Sequence, residues 1–76
     1  AEDLERMLRY TELVLVLTPD SASDRYYRAA LCLQTQRLKQ ARVDAEWLLD
    51  KQPEGLSREA IEDLNRAIAR EAARGE

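Results

Sequence analysis

Apolar residues recur at three- and four-residue steps along most of the chain, and the breaks in that rhythm divide it into four segments. Leu4, Met7, Leu8, Thr11, Val14 and Leu15 form the first stripe. They predict a helix from about Glu2 to Leu17, which Thr18-Pro19-Asp20 stops. Taken alone, the run Leu13 to Leu17 alternates like a strand, but it continues the preceding helical stripe and is therefore assigned to the helix. The segment Asp20 to Asp24 is rich in side chains that accept hydrogen bonds from free helical N–H groups. Ser21 and Asp24 are spaced as a capping box with Asp in place of Glu.

A second helix is predicted from that cap to about Thr35, with Tyr26, Ala29, Ala30 and Leu33 on one broad face. Gln36-Arg37 is the break before the next stripe, Leu38, Ala41, Ala45, Leu48 and Leu49, so helices 2 and 3 must form a tight hairpin without a glycine. Helix 3 also carries Val43 and Trp47 opposite its main stripe, which predicts cover on both sides, with Trp47 packed between helices 3 and 4. Pro53 to Ser57 closes it. Ser57 is the expected N-cap of helix 4, with Leu56 and Ile61 at the two ends of a hydrophobic staple. Helix 4 is predicted from Arg58 to Ala73. Its narrow stripe of Ala60, Ile61, Leu64, Ala67 and Ile68 suits an outermost helix with one dry side. The fold class is all-α, four antiparallel helices in one domain over residues 1–76.

Composition narrows the function. The 76 residues are 45% hydrophobic and 36% charged, the balance of a folded helical protein. A chain this short buries only about 60% of its unfolded surface, so a neighbouring surface would add stability. The net charge of −3 comes from 15 acids and 12 bases mixed in sign, leaving no basic stripe for phosphates; nucleic acid is not an expected partner. Leu13 to Leu17 is far short of the roughly 20 residues of a membrane span, and no export signal precedes it, so no membrane is expected either. A single cysteine, Cys32, points to the reducing cytoplasm.

Chemistry is the next exclusion. Cys32 has no histidine anywhere in the chain to activate it, and its neighbours Leu31 and Leu33 suit a small buried residue. One cysteine and no histidine cannot complete a zinc site, and no cofactor is expected. Asp44 with Glu46, and Glu62 with Asp63, point in different directions on a helix and read as solvated surface. Glu59 and Asp63 share a face but have Arg66 and Arg70 at ion-pair spacing. Arg25, Arg28, Arg37, Lys39 and Arg42 gather positive charge around one hairpin, able to clamp carboxylates or to be neutralised locally by Asp24, Asp44 and Glu46. No enzyme is expected.

Pro19 and Pro53 stand thirty-four residues apart, and Glu12 to Asp20 aligns without a gap on Glu46 to Glu54. From Asp24 to Pro53 the chain resembles one tetratricopeptide repeat. Ala29 matches the small residue at the helix crossing, Cys32 an aromatic position, and Leu38, Ala41, Leu48 and Pro53 the large, small, apolar and proline positions of the second helix. Arg25 and Arg28 depart from the usual tryptophan and leucine, and Gln36 from the turn glycine. More narrowly, Leu13 to Asp20, Arg28 to Gln34 and Leu49 to Glu54 are similar to the helical tail that follows the transglutaminase-like domain of bacterial SirB-type proteins. The resemblance implies tetratricopeptide-like hairpins with a C-terminal capping helix, a noncatalytic role, and a C-terminal fragment of a larger protein.

Three expectations follow for partners. A protein or peptide would lie on a groove along helix 2 made by Tyr26, Tyr27, Ala30, Leu33 and Gln34, flanked by Arg25 and Arg28. Helix 1 has a stripe (Leu4, Met7, Leu8, Val14, Leu15) and an opposite patch (Leu13, Val16, Leu17). One surface would be left for an upstream domain or a homodimer, and the stripe is the expected packing surface. The alternatives are an accessory tail that shapes the active-site entrance of an upstream transglutaminase-like domain, and a structural bundle dimerising through helix 1, with closure by helix 4 as a further arrangement.

Overall fold

The computed structural model describes residues 2–74, which form four helices: α1 (Glu2–Leu17), α2 (Ala22–Gln34), α3 (Leu38–Lys51) and α4 (Arg58–Arg74). Each boundary has a local cause. At the end of α1 the Thr18 amide and hydroxyl both donate to the Val14 carbonyl, at 2.7 and 2.8 Å, and Pro19 cannot extend the ladder. Ser57 starts α4 as expected, its hydroxyl accepting from the Ala60 amide at 3.0 Å. Ser21 caps α2 differently from the expected box, because its hydroxyl donates to Asp24 Oδ2 at 2.5 Å and makes no side-chain bond to the helix backbone.

The α2–α3 turn dispenses with glycine by placing Gln36 at φ 63°. The Gln36 amide then bonds Leu33 O at 3.3 Å and the Arg37 amide bonds Cys32 O at 2.7 Å. That pair of bonds is the Schellman closure of a helix C-terminus, and here a side chain tolerates the left-handed backbone that glycine usually supplies. Gln52 takes the same left-handed backbone after α3 at φ 48°, but closes the helix with one bond, its amide to Leu48 O at 3.0 Å, because Pro53 follows and has no N–H to donate.

Packing radiates from α2, which lies against α1, α3 and α4, while α3 also packs on α4. Among the described residues α1 meets neither α3 nor α4, so helix 4 does not close a four-helix bundle. The result is a slab of 34 × 30 × 15 Å. Its core joins Leu8 of α1, Ala29, Leu31 and Cys32 of α2, Ala41, Ala45 and Leu48 of α3, and Ile61, Leu64 and Ile68 of α4. Ala29, Ala41 and Ala45 are fully buried, and their short side chains let the helix backbones approach closely. Buried Thr11 satisfies its hydroxyl locally on Leu8 O at 2.7 Å, and Asn65 of α4 donates across to the Ala45 carbonyl of α3 at 3.2 Å.

Two expectations for α3 change. Trp47, expected to be covered on its α4 side, is half-buried against the core and also takes cover from α2, with the Arg25 guanidinium 4.4 Å from its ring centroid. Val43 is 54% exposed, because no helix lies over that side.

Candidate docking surface

The side chains proposed to touch a partner come from α1 and α2, and packing of these two helices against each other decides which remain open. On α1, Leu8 and Leu15 are buried and Leu4 and Val14 are half-buried. Most of the expected packing stripe is therefore spent within the chain, against α2. The open side is the reverse one: Leu13, Val16 and Leu17 are exposed, with Met7 at its edge and Tyr10 added to it. Helical geometry explains the division, since Leu4, Leu8, Thr11 and Leu15 share one face and Leu13 and Leu17 lie on the face turned away.

Tyr10 was absent from the expected surface, although its three-residue steps from Met7 and to Leu13 put it on the same ridge. It is 68% exposed. Together with Asp3, Arg6, Met7 and Tyr27 it lines a shallow groove between the start of α1 and the middle of α2. A second depression on α1 is lined by Arg9, Glu12, Leu13 and Val16. Both carry an acid and a base beside apolar groups, which suits a mixed protein surface.

On α2 the expected groove residues separate. Tyr27 and Gln34 are exposed, with half-buried Ala30 between them on the same ridge. Tyr26 and Leu33 are half-buried and pack against the core. Arg25 and Arg28 do not flank the groove. They turn to α3 and clamp Asp44: Arg28 donates twice, at 2.8 Å to each carboxylate oxygen, and Arg25 donates once at 3.3 Å.

Asp44 overturns its reading as a solvated acid, because its side chain is completely buried. A buried carboxylate needs its charge and lone pairs matched, and the two guanidiniums with Gln40 at 3.5 Å supply that. The bond to Asp44 raises the affinity of the Arg28 guanidinium for its proton further, against the opposing effect of burial. The departures of Arg25 and Arg28 from the repeat pattern are thus coupled to Asp44. Arg37 is engaged too, holding Glu5 of α1 at 2.8 and 2.9 Å on the surface.

Cys32 is fully enclosed, and burial is the main cause pushing its thiol above the ordinary value, with the Asp44 charge adding to it. That suits a packing residue, since the thiolate is the reactive form. Among the described residues no group of three or more Cys, Asp or Glu side chains is arranged to hold a metal ion, and no helix is long and apolar enough to cross a membrane.

Compared with known proteins, the chain matches the tetratricopeptide repeat family model over residues 1–74. No curated protein and no solved structure matches the chain. The match is to the repeat itself and does not reach the narrower resemblance to SirB-type tails. With helical hairpins stacked about α2 and a repeat model covering nearly every residue, this chain belongs to the tetratricopeptide repeat family.

Proposed function

We propose that the chain is a noncatalytic module that binds another protein through the open side of α1 and the adjoining Tyr27 edge of α2. The observation that carries this reading is the run of exposed Tyr10, Leu13, Val16 and Leu17 along one helix. Single exposed apolar residues need no explanation, but a contiguous row on a small domain is the kind of surface that partners cover. The buried side-chain polar atoms among the described residues are all hydrogen-bonded, so the interior offers no unpaired group awaiting a ligand. Membership of the tetratricopeptide repeat family, whose members generally mediate protein interactions, supports the same class of function.

A photo-activated cross-linker placed at Leu13, and at exposed Ala69 of α4 as the control, tests the reading in the producing cell. The expected result is a protein adduct at Leu13, absent at Ala69 and reduced by Leu17→Glu. Equal labelling at both sites would refute it.

A further inference from the structure

The thirty-four-residue interval places each residue of α1 on a counterpart in α3, and the α3 counterparts already have a neighbour. Thr11 falls on Ala45, and both are buried; the carbonyl of Ala45 is reached by Asn65 of α4. Thus α1 lies on α2 much as α3 lies on α4. The other flank differs. Tyr10 and Leu13 fall on Asp44 and Trp47, the α3 residues that Arg25 and Arg28 of α2 cover. Asp44 is fully buried and Trp47 half-buried, whereas Tyr10 and Leu13 are 68% and 66% exposed. The fold therefore contains its own example of what seats on this flank: an antiparallel helix.

Resting on the proposed contact role of α1, we infer that Tyr10, Leu13 and Leu17 receive an amphipathic α-helix of a partner protein, standing to α1 as α2 stands to α3. The chemistry of that helix follows from the two differences in register. On α3 a buried acid demands arginines from the helix above it. On α1 the matching position is Tyr10 and the next is Leu13, so the incoming helix must be apolar where α2 carries Arg25 and Arg28. Arginines there would lose water with no counter-charge beneath them. A second copy of the chain fits poorly. Its α2 is already packed against three helices, and its α1, antiparallel in full overlap, would lay Arg6 over Leu13 and Arg9 over Tyr10.

The probe is a helix-stapled synthetic peptide with the sequence of residues 21–36, carrying Arg25→Leu and Arg28→Leu, titrated into the full chain and followed through its amide NMR signals. The expected result is saturable shifts centred on Tyr10, Leu13 and Leu17. Affinity should be at least about tenfold tighter than for the same peptide with both arginines retained, and at least about tenfold weaker for a Leu13→Glu chain. Leu13 is exposed, so that variant is expected to keep its helical circular dichroism, and Leu17→Glu provides a second variant on the same flank. No saturable shift, equal binding of both peptides, or binding indifferent to both variants overturns the inference. So does a parent chain that sediments as a dimer split by Leu13→Glu, which would make a second copy the occupant. Failure here leaves the contact role of α1 standing, because the cross-linking experiment detects a partner of any shape.

Discussion

At the scale of single residues, burial decides which charges matter. Asp44 and Glu5 each meet an arginine at 2.8 Å, yet the Asp44 side chain is fully enclosed while Glu5 and Arg37 remain 45% and 42% exposed. Removing a buried partner strands the other charge, which costs about 3 kcal/mol or more. Asp44→Ala should therefore consume much of the stability of a domain this size. Arg37→Ala, at an exposed pair screened by water, should cost less than about 1 kcal/mol. Urea unfolding of both variants beside the parent measures the contrast, and comparable losses would show that burial is not the controlling factor. Cys32 makes a second residue-scale prediction. Its thiol loses a proton less readily in the folded state than at the ordinary value of 9.0. The folded chain then holds a proton that the unfolded chain has released, so the stabilisation is complete below about pH 9 and is lost as pH rises from there through the folded value. The urea midpoint should fall more steeply above pH 9 in the parent than in Cys32→Ala; parallel declines would contradict the assignment.

At the scale of helices, two serines at helix starts behave differently. Ser57 accepts from a backbone amide of α4, whereas Ser21 donates to the Asp24 carboxylate and leaves the α2 amides without side-chain cover. Loss of a backbone cap costs about 1 kcal/mol, so Ser57→Ala should destabilise by about that amount and Ser21→Ala by distinctly less. Denaturant midpoints that rank the two in the opposite order would refute the distinction. The capping-box spacing at Ser21 is visible in the sequence, but spacing alone leaves open whether the hydroxyl turns to the backbone or to the neighbouring carboxylate. The tight α2–α3 turn is likewise required by the short gap between stripes, and the repeat resemblance sets Gln36 at the turn-glycine position, where it bears the positive φ although its residue type does not favour one.

At the scale of the whole molecule, α1 is the least supported helix, since among the described residues α2 is the one helix it packs against, while α2 is covered by three neighbours. Local opening follows the number of packed surfaces. Amide hydrogen exchange should therefore be faster across the middle of α1 than across α2 and α3, and equal protection would indicate that α1 opens only with the entire fold. Helix number, the limits of α1 and the repeat interval were legible in residue order, because apolar periodicity and helix stops act between residues a turn or so apart. The small buried role of Cys32 was legible for the same local reason. By contrast, Asp44 and Glu46 look alike as acids on one amphipathic helix, Trp47 offered no sign that α2 would cover it, and α1 displayed two apolar sides of similar strength. Periodicity reports the angle at which a side chain leaves its helix, but burial at that angle depends on which other helix arrives there. Only the packing of α2 against α1 and α3 sends Asp44 inside and leaves Tyr10, Leu13 and Leu17 outside.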